Sequence, residues 1–143
     1  MARISVQLTI DDAAAVERMA LDLERRLNQC ALVIEASVIG RISTGQAVRR
    51  LPSGRLIGLN PSRPGQPPHV LYGHLRQSIT HDVRRSGTRI TARVGSNLIY
   101  ARPLELGSAG RGAGGNTSLA PRPYLRPSLV DSWSQIAGIF SRG

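Results

Sequence analysis

Histidine is the first residue type to consider, because its ring nitrogens bind metal ions and exchange protons near neutral pH. The chain has three histidines, His69, His74 and His81. No cysteine accompanies them at metal-ligand spacing, and few acids lie near them in the sequence. The sequence therefore predicts no metal site and no cofactor.

Carboxylates and hydroxyls lead to the same expectation. Only three acids follow residue 35, namely Asp82, Glu105 and Asp131, and they form no local pair for acid–base catalysis. No serine lies in a nucleophile-elbow or Ser-x-x-Lys pattern. The glycine-rich segment at 107–115 lacks the Gly-Lys-Ser/Thr ending of a phosphate-binding loop. We therefore expect a protein that is not an enzyme and that works through its surfaces.

The charge of the chain is strongly positive and unevenly distributed. The formal net charge is +10, and every basic residue is Arg. Residues 1–35 hold four Arg against six acids, whereas residues 36–143 hold fifteen Arg against three acids. Such a field attracts DNA or an acidic protein surface. The absence of Lys is equally well explained by genome base composition, so the charge indicates a basic surface and not a phosphate site.

The elements that would position these residues begin with a strand and a long helix. Residues 3–10 alternate polar and apolar side chains, which predicts a half-buried strand. Asp11 or Asp12 is expected to cap an amphipathic helix that continues to about Ile42. Cys30 lies on the apolar side of this helix, so we expect a buried thiol. No apolar run approaches the roughly 20 residues that a membrane span needs.

Proline and glycine divide the rest of the chain into short elements. Residues 44–69 are predicted to form a Pro/Gly-rich arm, and residues 107–120 a Gly-rich loop. Between them we expect a short helix that opens at Gly73, two strands joined at Ser86-Gly87, and a helix or turn over 98–107. The second of these strands would expose a basic stripe made of Arg89 and Arg93, with Arg84 nearby. That stripe is either the solvated face of a sheet or a contact with DNA or an acidic subunit.

A final helix is predicted to begin near Arg126–Pro127. Its expected apolar face consists of Leu129, Val130, Trp133, Ile136, Ala137 and Phe140. The predicted fold class is α+β, with a long N-terminal amphipathic helix and a C-terminal helix packed on a small, mainly antiparallel sheet that carries two long loops. With 143 residues and no internal repeat, the chain is expected to form a single domain over residues 1–143.

Three short motifs follow one another in the C-terminal half. The first is Pro64-Gly-Gln-Pro-Pro68, followed by Gly73, Leu75, Ser78 and Ile79. The second is Val94-Gly95-Ser96-Asn97, followed by Tyr100, Ala101, Glu105 and Gly107. The third is Arg122-Pro123-Tyr124-Leu125, followed by Arg126 and Pro127. In this order, over residues 64–127, they resemble the neck and tail-completion proteins of long-tailed bacteriophages. Tyr72 and Leu106 depart from that pattern, which has Thr and an aromatic residue at these places.

The resemblance implies a structural virion protein at the head–tail junction, assembled in the host bacterial cytoplasm. It implies a ring of identical subunits, a hexamer in the first place and a dodecamer as the alternative. The implied partners are head-closure or connector proteins and tail-tube or tail-terminator proteins, with non-specific contact to transiting DNA and no membrane. The roles of tail terminator, tail-completion factor and head-side connector are equally compatible with it.

The candidate assembly residues are those of the three motifs. They are Gly73, Leu75, Ser78, Gly95, Asn97, Tyr100, Ala101, Glu105, Gly107, Arg122, Pro123, Tyr124, Leu125, Arg126 and Pro127. Glu105 is the only acid between Asp82 and Asp131, so we expect it to form an ion pair with an Arg, either Arg126 or one of a neighbouring subunit. The alternative function is a small basic DNA-binding protein that uses the basic stripe.

Overall fold

A computed structural model describes residues 2–7, 12–44, 48–59, 62–70, 72–109 and 118–141 of the chain. It confirms the predicted α+β fold class, with a long N-terminal helix, C-terminal helices and a small antiparallel sheet. In chain order the elements are β1 (Ala2–Gln7), α1 (Ala13–Ile42), β2 (Val48–Arg50), β3 (Leu56–Leu59), α2 (His74–Ser78), β4 (Thr80–Ser86), β5 (Arg89–Gly95), α3 (Ala101–Leu106), α4 (Leu125–Asp131) and α5 (Trp133–Ser141).

Helix α1 is the longest described element of the fold, with 30 residues and a length of about 45 Å. Of the two candidate caps, Asp12 is the one used, since its carboxylate accepts the N–H groups of Ala14 and Ala15 at 3.0 and 3.4 Å. Cys30 is fully buried, as expected, and burial raises the pKa of its thiol. Of the helices in the described ranges, none is both long and apolar enough to cross a membrane.

A three-stranded antiparallel sheet covers one side of α1, in the order β1-β5-β4. Its central strand β5 buries Ile90, Ala92 and Val94, the inward face that the alternation predicts. The strands β4 and β5 meet at a turn over residues 87–88, one residue later than expected. The predicted strand over 3–10 is a strand over Ala2–Gln7, and residues 8–10 lie outside the described ranges.

One of the two loop predictions needs correction. Residues 44–69 are not a loop throughout, because β2 and β3 pair antiparallel inside this segment and form a hairpin. In the Gly-rich loop, residues 110–117 lie outside the described ranges. The described base of that loop is held by Ser108 and Leu119, which exchange two backbone hydrogen bonds of 2.9 and 2.8 Å.

The prediction of one final helix with one apolar face is also wrong. The chain forms two short helices, α4 and α5, which meet at Ser132. Ile136 is buried against the core, but Val130, Trp133 and Phe140 are 65%, 64% and 37% exposed. The break explains the difference, because two consecutive helices do not present a single continuous stripe to the core. The only Trp and the only Phe of the chain thus have large solvent-exposed areas.

Candidate functional site

Glu105 joins the second motif to the third. One carboxylate oxygen accepts the backbone N–H groups of Tyr124 and Leu125 at 2.7 and 2.9 Å, and the other accepts the N–H of Arg126 at 2.9 Å. These N–H groups lie at the start of α4, where no carbonyl of the helix can reach them. A carboxylate in this position satisfies them and is favoured by the helix dipole. Glu105 therefore caps the N-terminus of α4, whose N–H groups lie 19 to 21 residues further along the chain.

This contact corrects the expected ion pair between Glu105 and Arg126. The carboxylate binds the backbone of Arg126, and no ion pair of Glu105 is present in the described part of the chain. The geometry has a simple cause, since three converging N–H donors satisfy both oxygens of one carboxylate, whereas an exposed guanidinium adds little.

Tyr124 is the most deeply buried side chain of the third motif. It has no exposed surface, and its hydroxyl donates to the carbonyl of Ala101 in the second motif at 3.1 Å. Burial, followed by the nearby charge of Glu105, raises the pKa of the phenol well above its ordinary range. The carbonyl of Tyr124 in turn accepts the hydroxyl of Ser128 at 2.7 Å. The ring therefore fixes α3 against α4 as a neutral hydrogen-bonding group.

Residues 121–122 tie the third motif to both others. The N–H of Arg122 donates to the carbonyl of Leu104 at 2.7 Å, next to the second motif's Glu105. The guanidinium Nε of Arg122 donates to the carbonyl of Ser62 at 3.1 Å. The carbonyl of Pro121 accepts the N–H of Gly65, in the first motif, at 2.9 Å. The segment before α4 is thus hydrogen-bonded to the second motif on one side and to residues 62–65 on the other.

The first and second motifs also meet directly. The hydroxyls of Ser78 and Ser96 lie 2.6 Å apart. Because Ser78 donates its proton to the carbonyl of Leu75 at 2.7 Å, Ser96 is the donor between the two hydroxyls. Ser96 then accepts the N–H of Leu98 at 3.1 Å. We call the whole set of contacts among the three motifs the motif junction.

Two glycines of the motifs are required by the backbone. Gly73, at φ +83°, precedes α2, and Gly107, at φ +78°, follows α3; both lie in the left-handed region that favours glycine. At Gly107 a Cβ atom would also lie 2.9 Å from the carbonyl oxygen of Leu119 and 3.1 Å from the ring of Pro121. At these two places the motif glycines therefore allow a turn and a close approach of the backbone.

The remaining motif residues have less distinctive places. Gly95 ends β5 and pairs with Thr80, and Leu75 is the buried residue of α2. Pro123 and Pro127 are half-buried on either side of the start of α4. The side chain of Asn97 is exposed and makes no hydrogen bond within the described ranges.

An open cavity of about 610 Å³ lies beside the motif junction. All three motifs contribute to its wall, together with the C-terminal end of α1. The lining is mainly apolar and consists of Ile42, Ser62, Pro68, His69, Val70, Tyr72, Gly73, His74, Leu75, Arg76, Tyr100, Leu104, Leu119 and Arg122. No acid lies in this lining. We call it the junction pocket.

Ser62 is the unusual polar residue of the junction pocket. It is 4% exposed, and its hydroxyl has no hydrogen-bond partner within the described ranges. A buried hydroxyl without a partner is destabilising unless something else satisfies it. Ser62 was not expected at a site, because it lies in the proline-rich arm, where no periodic pattern indicates which side chains turn inward.

No family model, curated protein or solved structure matches this chain. The site is therefore interpreted on its geometry. In the described ranges no group of three or more His, Cys, Asp or Glu is placed to hold a metal ion. His69 and His74 line the junction pocket, whereas His81 lies between α1 and β4, where Glu35 and Asn28 contact its ring at 2.5 and 3.1 Å.

The basic stripe lies elsewhere, on the side of the sheet turned away from α1. Arg84, Arg89 and Arg93 are all exposed, and the register places Arg84 opposite Thr91 and Arg93 opposite Asp82. Arg84 forms an ion pair with Asp82 at 2.6 Å. The face therefore keeps an excess of positive charge with one acid to moderate it.

Proposed function

We propose that this chain is a structural component of the neck or tail end of a long-tailed bacteriophage, where its copies form a closed ring. The observation that supports this most is the convergence of the three motifs. The residues that carry the resemblance are spread over residues 64–127, and they meet in one hydrogen-bonded junction beside an open apolar pocket.

The polar groups of the motif junction favour a structural role over a catalytic one. Glu105, Tyr124 and Ser78 each bind backbone groups, so their side chains hold helices in place. Arg122 does the same through its guanidinium. Such a junction supports a rigid subunit whose outer surfaces meet neighbours, as a ring component requires.

Ring formation needs two different surfaces on each subunit, because a head-to-tail contact must close on itself. The described surface offers apolar areas at separate places, namely the junction pocket and the exposed Trp133 with Val130. In the proposed ring, such surfaces meet neighbouring subunits or the head-side and tail-side proteins. The basic residues then face acidic partner surfaces, with transiting DNA as a secondary contact.

The experiment is to measure the mass and shape of the purified chain. Light scattering and negative-stain microscopy are expected to show closed rings with a mass six times that of the 15.4 kDa chain. The rings should also co-sediment with isolated phage tails or heads. A chain that remains a monomer at every concentration and binds neither particle would contradict the proposal.

The second candidate function is DNA binding by the basic stripe. The observation that favours it is the exposure of Arg84, Arg89 and Arg93 on the sheet face opposite to the buried Ile90, Ala92 and Val94. Arg side chains on such a face are suited to phosphate contacts.

A gel-shift series across salt concentration tests this alternative. Three phosphate contacts predict a slope of roughly −2.7 in log affinity against log salt. Replacing the three Arg with Gln should abolish the salt-dependent part, whereas the control Arg55→Gln, in the exposed turn before β3, should not. Equal DNA binding by the triple variant and wild type would exclude the stripe.

A further inference from the structure

The three-stranded sheet has two open edges. Strands β1 and β4 each pair with β5 on one side, and their outer sides form no backbone–backbone hydrogen bond in the described part of the chain. Every second residue of an edge strand directs its N–H and C=O groups away from the sheet, so each edge presents a row of donors and acceptors. An added strand is the kind of occupant that satisfies such a row.

The edge at β4 lacks the features that usually protect an edge strand, which are proline, a bulge or unpaired charge. Its seven residues include no proline, and its pairing with β5 runs without a register shift. The ionisable side chains of β4 each have a partner within the same chain, namely Arg84 with Asp82, Arg85 with Glu17, and His81 with Glu35. A neighbouring strand therefore meets no unpaired charge of β4.

The edge at β1 matches the edge at β4 in length and direction. β1 has six residues against seven, contains Arg3 as its one charged residue, and also pairs with β5 without a register shift. Both strands run antiparallel to β5, so β1 and β4 point the same way. A rotation about an axis roughly along the strands therefore brings β1 of a second copy beside β4 as a parallel strand.

The described helices pack on a face of this sheet. Helix α1 contacts β4 and β5, and α4 contacts both α1 and β1, so the two helices share one layer. Pairing at the edges therefore leaves this layer intact.

We propose that β1 of one copy of this chain pairs, in parallel, with the outer edge of β4 of the next copy. The inference rests on the proposed self-association and names its contact. The two edges differ and lie on opposite sides of one sheet, so the contact is head-to-tail, the kind that closes into a ring. A second copy is the favoured occupant because closure satisfies both edges of every subunit, whereas a foreign strand satisfies one.

The register gives the positions that face one another in the joined sheet. Ser5 and Arg84 both lie opposite Thr91, on the two sides of β5, so within one chain they are about 10 Å apart. Ser5 of the next copy would instead lie about 5 Å from Arg84. A stagger of two residues would bring it to Asp82 or Ser86, whereas a stagger of one residue would reverse the faces.

Cysteine cross-linking tests this contact in the full-length chain. A chain carrying both Ser5→Cys and Arg84→Cys, oxidised with copper phenanthroline, should form a series of disulfide-linked multimers, because bridged residues must approach within about 7 Å. Ser5→Cys combined with Asp82→Cys or with Ser86→Cys covers the two staggers. At least one of the three chains should cross-link between copies and not within one.

A matched control uses a position away from the sheet. Ser134 is exposed on α5, so Ser5→Cys combined with Ser134→Cys should remain uncross-linked. The natural Cys30 is buried and therefore shielded from the reaction. Equal cross-linking of the control and of all three test chains would overturn the contact.

Hydrogen exchange tests the same contact without substitutions. The two-residue turn at 87–88 makes the pair that flanks it a hydrogen-bonded one, so the N–H groups at the open edge of β4 are those of His81, Val83 and Arg85. These amides should exchange roughly tenfold or more slowly in the assembled protein than in the diluted monomer. The amide of Thr88, in the turn, should exchange equally in both.

The outcomes separate this inference from the function it rests on. A wild-type chain that stays monomeric would overturn both the ring and the contact. A chain that associates while its edge amides stay unprotected, or while none of the three test chains cross-links, would overturn the contact alone. Disulfide dimers of the single variants Ser5→Cys or Arg84→Cys would show that like edges pair in a two-fold dimer, which also overturns it. Circular dichroism checks that each variant keeps the fold.

Discussion

The layer formed by α1 and the sheet and the motif junction are held together in different ways. In the layer, apolar side chains of α1 such as Leu27 and Ile34 form one buried cluster with Ile90 of β5, and all three are at 2% exposure or less. In the junction, side chains such as Glu105 and Tyr124 bind backbone groups of a distant segment. The layer thus depends on apolar area, and the junction on hydrogen bonds in fixed directions.

Each region is therefore sensitive to a different kind of substitution. Apolar packing tolerates small shifts but loses several kcal/mol when volume is removed from the core. In the motif junction, a single substitution should lower the free energy of unfolding by less. It leaves without a partner, however, the hydrogen-bonding groups that hold two motifs together.

The largest effect is expected in the layer. Leu27→Ala removes a side chain with no exposed surface and should lower the free energy of unfolding by about 2–5 kcal/mol. Leu32→Ala, on the same helix but 48% exposed, should change it by well under 1 kcal/mol. Chemical denaturation of both variants measures the difference. Equal losses would mean that α1 does not bury the face described above.

A smaller but more localised effect is expected at Glu105. Glu105→Ala leaves three N–H groups at the start of α4 without their acceptor, and should cost about 2 kcal/mol. The matched control is Asp131→Ala at the other end of α4, whose carboxylate is 61% exposed and should contribute much less. Thermal unfolding compares the two. A larger loss of thermal stability for the Asp131 variant would contradict the stabilising role of Glu105 at the start of α4.

Tyr124→Phe should cost about 1 kcal/mol, because the ring still packs but the carbonyl of Ala101 loses its donor. The pKa of the Tyr124 phenol is raised in the fold, so its contribution is fully present below the ordinary value of 10 and is lost as pH rises above it. Wild-type stability should therefore fall in alkaline solution more than that of the Phe variant. Parallel alkaline dependences would contradict the burial of this hydroxyl.

The smallest effect concerns the exposed pair of Glu17 and Arg85. The hydrogen bond from Arg85 lowers the pKa of Glu17, so the contribution is present above the ordinary value of 4.5 and is lost as pH falls through the lowered one. Glu17→Gln should remove that acid dependence and leave stability at neutral pH almost unchanged. Urea unfolding at pH 7 and at pH 3 measures it; an unchanged acid dependence would exclude the pair.

The layer formed by α1 and the sheet could be predicted from the sequence, because the periodic patterns of its helix and strands are local. Three- and four-residue steps predicted α1 to Ile42, and alternation predicted the buried face of β5. The junction is different, since the partner of Glu105 lies at least 19 residues away and is a set of backbone N–H groups. Charge counting therefore indicated a guanidinium. No local pattern reveals which backbone donors a distant loop brings within reach.

The exposed Trp133 was missed for a related reason. Its spacing from Leu129 and Ile136 fits one apolar stripe, but the break at Ser132 divides that stripe between α4 and α5. Helix propensity alone does not place the break, because serine is tolerated within helices. The pocket residue Ser62 was missed because an arm rich in proline has no period that indicates its inward side.

Hydrogen exchange of the backbone amides tests most directly whether the three motifs form one cooperative unit. The amides of Gly65, Arg122 and residues 124–126 donate within the junction, so they should be protected and should share one opening free energy. In Glu105→Ala they should lose protection together, while the amides at the centre of α1 keep theirs. Rapid exchange of these amides in the wild type, or loss confined to residues 124–126 in the variant, would contradict a single junction.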